Sequence, residues 1–192
     1  MEKEEKKEEK KEFIKVEISA KVFNPETGEV IEDKGWTKAN SLIRQFIDIL
    51  AVQASGLNWN VKRTDDVILS LAPNAGAFAA NAGNSNDIYG IVIGTGIAPV
   101  TISDNNLGTK IPNTTANHGI VTFAAEYPSA SQSRAVISRV FTNNSGSQLN
   151  ITEVGLYVSL TAGQACIERT LYSVSVPNLM SVIISYRFSV YL

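Results

Sequence analysis

The segment from Leu149 to Leu192 constrains the fold most strongly, because it holds three runs of β-branched and aromatic residues in quick succession. Breaks at Thr161–Gly163 and at Pro177–Asn178 separate these runs. Apolar and polar residues alternate along the middle and last runs, a pattern that gives a strand one buried face. The segment therefore predicts three consecutive antiparallel strands, a meander in which the last strand pairs beside the middle one.

The first apolar stretch of the chain has the pattern of a β-hairpin. Apolar and polar residues alternate from Phe13 to Val22, and a second short apolar pair follows at Val30–Ile31. Between them lies Asn24–Gly28, where Pro25 presets a turn dihedral and Gly28 supplies positive φ. We expect two antiparallel strands joined by this turn.

One stretch, from about Asn40 to Ala54, has the spacing of an amphipathic helix. Asn40 or Ser41 can cap its first turn, and Gly56 ends it. The predicted apolar stripe consists of Leu42, Ile43, Phe46, Ile47, Ile49 and Leu50. The predicted narrow polar face consists of Arg44, Gln45, Asp48 and Gln53. A helix with so wide an apolar stripe must be covered by a sheet or by another subunit.

Short strands punctuated by turn residues account for most of the remaining chain. Further strands are predicted within Val61–Leu71, Ile88–Ile93, His118–Tyr127 and Ala135–Thr142, for a total of about nine. The pattern predicts a mainly β fold, an antiparallel β-sandwich or jelly-roll-like barrel with one amphipathic helix near the N-terminus. We expect residues 1–12 to form a charged flexible arm and residues 13–192 a single β-rich domain with a long loop at about 73–87.

Charge is concentrated in the arm and scarce in the rest of the chain. Residues 2–12 hold six Glu and five Lys, which leaves 13 of the 19 acidic and 12 of the 17 basic residues for the other 180 positions. That is about 14%, against roughly 25% for an average soluble domain. A charge-poor surface suits burial against neighbouring subunits. Without clustered Lys and Arg, we expect no nucleic-acid partner.

Residues that could carry chemistry are few and scattered. Gly94-Thr95-Gly96 follows a strand, but Pro99 replaces the third glycine of a dinucleotide fingerprint, so we interpret it as a tight strand-to-loop bend. Asp104-Asn105-Asn106, with Asp87 or Asp65-Asp66, could offer oxygen ligands to calcium, but the spacing does not match a calcium-binding loop, and an Asx turn is the favoured interpretation.

The chain has one histidine, His118, and one cysteine, Cys166, which lies within a predicted strand and is interpreted as a small core residue. Triads, zinc sites and two-carboxylate hydrolysis all lack parts in this sequence. We therefore expect no enzyme activity and no catalytic, cofactor-binding or metal residues.

Several of these motifs together resemble a known pattern. They are Ile91–Gly96, Val100–Leu107 (VTISDNNL), Ile151–Tyr157 (ITEVGLY), Arg169–Leu171 and Val182–Val190, preceded by the helix within Gly35–Leu50. The set is similar to uncharacterised virion structural proteins of tailed phages and related viruses of prokaryotes. In those proteins a strand ending in Gly-x-Gly precedes an Asp-x-x-Leu turn, and an ITEVGLY strand precedes an Arg-containing strand. The resemblance covers about Gly35 to Leu192 and implies a virion part.

We therefore expect a non-enzymatic virion protein that self-assembles as a capsid, decoration, spike or tail component. Its expected partners are further copies of itself and other virion proteins. No apolar stretch is long enough to cross a membrane as a helix, and no signal peptide is recognisable, so we expect assembly in the host cytoplasm and no membrane partner. Two alternatives are a filament or adhesin subunit that assembles by β-strand addition, and a carbohydrate-binding module using Trp36 and Trp59.

Overall fold

The computed structural model describes residues 14–39, 42–73 and 76–191. In these ranges the chain forms eleven strands and one helix: β1 (Ile14–Phe23), β2 (Val30–Lys38), α1 (Arg44–Ser55), β3 (Trp59–Lys62), β4 (Ile68–Leu71), β5 (Gly76–Ala79), β6 (Gly90–Gly94), β7 (Ala116–Ser129), β8 (Gln132–Asn143), β9 (Leu149–Leu160), β10 (Gly163–Val176) and β11 (Ser181–Tyr191). The predicted arm at residues 1–12 lies outside the described residues. No helix in the described ranges is long and apolar enough to cross a bilayer.

The strands of the described ranges are arranged in antiparallel sheets. A five-stranded sheet has the order β2-β1-β11-β8-β7, and a second has the order β10-β9-β5, with β6 also pairing with β9. β3 and β4 form a separate hairpin. The predicted mainly β, antiparallel fold with one helix near the N-terminus is confirmed. The closed-barrel alternative is wrong, because β2 and β7 end the larger sheet and pair with no described strand of the other sheet.

One cluster of buried apolar side chains joins the two larger sheets. The five-stranded sheet contributes Ile18, Phe141, Ile184 and Tyr186 among others, and the second sheet contributes Ile93, Ile151, Val154, Leu156 and Val174. Full burial of one such side chain stabilises the fold by about 1.5 to 3 kcal/mol. This shared cluster therefore holds the two sheets against each other.

The N-terminal hairpin forms as predicted. β1 and β2 are antiparallel neighbours, and Gly28 has φ 75°, the positive value that the turn requires. The side chain of Asn24 accepts a hydrogen bond from the Glu26 amide at 2.9 Å, which is an Asx turn. The turn residues Asn24–Gly28 were therefore sufficient to predict this hairpin.

The predicted meander is wrong in its third strand. β9 and β10 pair as expected, but β11 leaves that sheet and lies between β1 and β8 of the five-stranded sheet. Residues 177–180 make the crossing, and the Asn143 amide donates a hydrogen bond to the Met180 carbonyl at 2.9 Å. Alternation shows which face of a strand is buried, whereas it does not show which strands lie beside it.

The helix is shorter and is rotated relative to the prediction. It begins at Arg44 and ends at Gly56, which has φ 68° as expected; the predicted caps Asn40 and Ser41 lie outside the described residues. Gln45 and Asp48 of the predicted polar face are buried, whereas Ile47 of the apolar stripe is 59% exposed. The reason is β3, because Trp59 donates its indole N–H to Asp48 at 3.2 Å and holds that side chain inside.

The predicted strand within Val61–Leu71 is a hairpin of β3 and β4, and the predicted loop at 73–87 is interrupted by β5. β5 pairs with the end of β9 through only two register partners. The segment lacks any apolar period, so its strand depends on this neighbour rather than on its own pattern.

Candidate functional site

The motif residues converge on the carboxylate of Glu153, a fully buried side chain on β9. Its oxygens accept backbone N–H hydrogen bonds from Gly96 at 2.8 Å, Thr109 at 2.9 Å and Gly108 at 3.1 Å. Gly94 and Gly96 are required here for space, because a Cβ at Gly94 would lie 2.7 Å from Glu153 Oε1. The Gly-x-Gly segment thus serves close approach to a carboxylate rather than a nucleotide.

Arg169 on β10 provides the countercharge. Its Nε and Nη2 donate to Glu153 Oε2 at 3.1 and 2.9 Å, and its Nη1 donates to Asp104 Oδ2 at 2.7 Å. Burial opposes the charge of Arg169, but the hydrogen bonds that it donates to both carboxylates raise its pKa. Burial likewise would raise the pKa of Asp104, but hydrogen bonds from Thr101 and Arg169 lower it below the ordinary value.

Tyr157 completes this network, which we call the loop clamp: Glu153, Arg169, Asp104 and Tyr157. The Tyr157 hydroxyl accepts the Leu107 N–H at 2.6 Å and donates to Asn106 Oδ1 at 2.7 Å. Burial raises the pKa of this hydroxyl far above its ordinary value. Every polar group of the clamp is occupied in holding residues 94–109 to β9 and β10, so the arrangement fixes a loop.

The aspartates considered as calcium ligands, and Cys166, have structural roles. Asp104 is engaged by Arg169, Asp87 accepts the Asn113 N–H at 2.8 Å, and Asp65 pairs with Arg63 at 2.5 Å. Within the described ranges, no three His, Cys, Asp or Glu side chains come together as a metal site. Cys166 is fully buried, as the core interpretation requires, and burial raises its thiol pKa.

Among the described residues, Arg139 on β8 is the largest fully buried side chain. No motif in the sequence indicated that it would be buried. Its guanidinium donates to five backbone carbonyls, which belong to Gly83, Asn86, Tyr89, Ile91 and Gly119. We call this arrangement the Arg139 cage. Burial lowers the pKa of Arg139 to about 10, so the side chain remains charged at neutral pH. The cage attaches residues 83–91 to the five-stranded sheet.

Two further titratable groups are buried near these networks. His118 is fully buried, with Nε2 3.1 Å from the Ile111 carbonyl oxygen, and burial together with the charge of Arg139 lowers its pKa to about 4. Glu168 is fully buried between the sheets, where burial raises its pKa to about 8 although Thr170 donates a hydrogen bond to it. Neither group reaches solvent, so neither is placed to act on a substrate.

The tryptophans predicted for the carbohydrate-binding alternative lie on different sheets. Trp36 on β2 stacks against Arg187, whose guanidinium carbon is 4.2 Å from the ring centroid. Trp59 lies on the β3–β4 hairpin and is bonded to Asp48. Trp36 is 38% exposed and Trp59 is 49% exposed. The two rings do not form one platform.

The remaining unusual surface is an uncovered end of the five-stranded sheet. Side chains at this end lie on the same face as the core residues Ile18 and Tyr186. Ile137 and Phe188 still pack partly against the core, whereas the side chains beyond them are exposed. We call this surface the open face: Ile14, Phe123, Tyr127, Ile137, Phe188 and Val190. Phe123 is 53% and Tyr127 78% exposed. An apolar patch of this kind is typical of a protein interaction surface.

No family model matches the sequence, and neither a curated protein nor a solved structure matches it. The resemblance to virion proteins therefore stays a prediction.

Proposed function

We propose that this chain is a non-enzymatic virion structural protein, an antiparallel β-sandwich that self-assembles as a capsid, decoration, spike or tail component. Its partners are further copies of itself and other virion proteins, and it assembles in the host cytoplasm. The observation that carries the proposal is the open face. A sheet face of this composition is stable in water only when another surface covers it, so a neighbouring subunit is its natural occupant.

The distribution of charge and polarity supports the same proposal. Residues 13–192 are poor in charge, which lowers the cost of removing the surface from water on assembly. The buried Glu153, Arg169 and Arg139 hold loops onto the sheets, so each subunit would present a fixed surface to its neighbours. A rigid surface loses little conformational entropy on association.

The filament alternative is favoured by one observation, the unpaired edge of β7 at the side of the open face. Strand addition along a fibre needs a contact between two different surfaces of each subunit. In that case the edge of β7 would meet a different strand of the next copy.

Native mass spectrometry and negative-stain microscopy of the full chain test the proposal. We expect closed or extended assemblies, with no appreciable monomer at about 10 μM, a concentration well above the dissociation constants of specific complexes. Phe123→Ser should shift the population toward monomer, because it removes an exposed ring from the open face. Ile97→Ser is the matched control, since Ile97 is 78% exposed in a loop away from that face. A wild-type chain that stays monomeric would contradict self-assembly.

A further inference from the structure

The edge of β7 is covered along only its first half. The Val121 N–H donates to the Ala82 carbonyl at 2.9 Å, and the Ser85 N–H donates to the His118 carbonyl at 2.7 Å. Beyond Val121, no segment of the described ranges pairs with this side of the strand. Residues 122–129 therefore form an open edge.

The backbone groups of this open edge are suitably aligned for another strand. Since the Val121 N–H points away from β8, the alternation of an antiparallel strand turns the N–H and C=O groups of Phe123, Ala125 and Tyr127 the same way. Pro128 falls at the alternate position and its missing N–H faces β8, where the register shifts between Glu126 and Ser129. The proline therefore leaves the open ladder intact.

The two edges of the five-stranded sheet differ in how they are protected. β2 carries four charged residues, Glu32, Asp33, Lys34 and Lys38, and two register shifts against β1, both of which are devices that block strand addition. Along residues 122–129 the single charged side chain is Glu126, which lies 3.6 Å from Arg134 of its own hairpin. The open edge of β7 therefore carries less charge than β2, although it also contains Pro128 and the register shift between Glu126 and Ser129.

We infer that β7 pairs with β7 of a second copy of this chain, antiparallel about a two-fold axis at Ala125. This register places Phe123 opposite Tyr127 of the second copy, and aromatic cross-strand pairs stabilise sheets. Glu126 then lies opposite Ala124 of the second copy, so no like charges face each other. The pairing joins two five-stranded sheets into one ten-stranded sheet and makes the two open faces continuous.

A second copy fits this edge better than the charged arm of the same chain. Residues 2–12 consist only of Glu and Lys, so the arm would place charges opposite Phe123 and Tyr127. The self-pairing register instead brings apolar side chains together on the open face. The inference rests on the proposed self-assembly and specifies the surface through which it begins.

Two lysine variants of the full chain test the register. Ala124 and Ala125 are both exposed neighbours on β7. Ala125→Lys places two like charges at the axis, so we expect the dissociation constant of the pair to rise at least tenfold in sedimentation equilibrium. Ala124→Lys, the matched control, places its charge opposite Glu126 of the second copy, so association should be retained. If both variants associate as the wild type does, the β7 pairing is wrong while self-assembly stands.

Disulfide formation gives an independent measurement. At the axis, the two Ala125 Cα atoms would be about 5.5 Å apart, within disulfide range, whereas those of Ala124 would be about 8 Å apart. We expect Ala125→Cys to form a covalent dimer under mild oxidation and Ala124→Cys to remain uncrosslinked. Cys166 is buried and does not interfere. Equal crosslinking of both variants would overturn the register, and a monomeric wild type would overturn both the pairing and the proposed function.

Discussion

Two buried arginines attach loops to the two sheets, and they are satisfied in different ways. Arg169 is 3% exposed and is bonded to the carboxylates of Glu153 and Asp104. Arg139 is 1% exposed, and its hydrogen bonds in the described ranges all go to backbone carbonyls. Arg169 is thus paired with two opposite charges, whereas Arg139 is stabilised by the dipoles of backbone carbonyl groups.

The difference shows which groups depend on each arginine. Without Arg169, the Glu153 carboxylate would keep its three N–H bonds but would be a buried charge with no countercharge. Without Arg139, the groups left behind would be neutral carbonyls, each with a second lone pair and several near a loop surface. Losing one partner of a buried ion pair costs more than losing a donor to neutral acceptors.

Arg169→Met should therefore have the largest effect. We expect the free energy of unfolding to fall by about 3 to 5 kcal/mol, the usual cost of breaking a buried ion pair. Urea unfolding followed by tryptophan fluorescence, at fixed protein concentration, measures it. The double variant Glu153→Gln/Arg169→Met removes both charges and should recover at least about 1 kcal/mol. Equal losses in the single and double variants would show that the unpaired charge is not the cause.

Arg139→Met should cost less, about 2 to 3 kcal/mol, because it removes several hydrogen bonds without stranding a charge. Arg139→Lys, which keeps the charge and three donors, should recover part of the loss. Hydrogen exchange should also rise in residues 83–91, which the cage attaches to the sheet. If Arg139→Met proves as destabilising as Arg169→Met, the distinction between the two arginines fails.

Glu168 is a third buried ionisable side chain, and it differs from both arginines. Its hydrogen-bond partners in the described residues are uncharged hydroxyl groups, and it has neither a paired charge nor a set of backbone partners. Its folded pKa of about 8 lies above the ordinary value of 4.5, so the folded state binds more protons between these values. Its contribution to stability is complete below about pH 4.5 and is lost progressively as pH rises through about 8. Glu168→Gln should abolish this part of the slope in unfolding measured at pH 5, 6.5 and 8. A slope identical to wild type would place the titration elsewhere.

Asp104→Asn should have the smallest effect, about 1 kcal/mol. Asp104 is the outer partner of Arg169, and Glu153 still pairs with the guanidinium when Asp104 is neutral. The Asp104 side chain is 20% exposed, so solvent screens its ion pair more than it screens the fully buried Glu153 carboxylate. The same urea titration measures the change. A loss as large as that of Arg169→Met would make Asp104, rather than Glu153, the principal countercharge.

Local signals predicted the local parts of this fold. The hairpin of β1 and β2 and the end of α1 at Gly56 follow from turn and capping residues, whose effect extends over a few positions. The sheet assignment of β11 did not follow, because its alternation suits either sheet. The orientation of α1 did not follow either, because Asp48 is hydrogen-bonded to Trp59 of β3, a contact that the helix sequence alone does not indicate.

The sequence contains part of the information needed to predict the candidate site. The sequence contained Gly94-Thr95-Gly96, Glu153 and Arg169 as separate motifs. That the glycines approach Glu153 depends on the pairing of β6 with β9, which joins distant segments. Arg139 lies between Ile137 and Phe141 in an alternating strand, where a single long polar side chain is as compatible with the surface as with the interior.

The position of β11 has a consequence for the order in which the molecule forms. β11 lies between β1 and β8, so the hairpins β1–β2 and β7–β8 have no contact with each other in the sheet until residues 181–191 arrive. During synthesis the two hairpins emerge before β11, so the edges of β1 and β8 that later pair with β11 are at first unpaired. Pairing of Ile14 with Val190 closes almost the whole chain, and contacts of such long range slow folding. The strand that unites the five-stranded sheet is thus synthesised after the other ten described strands.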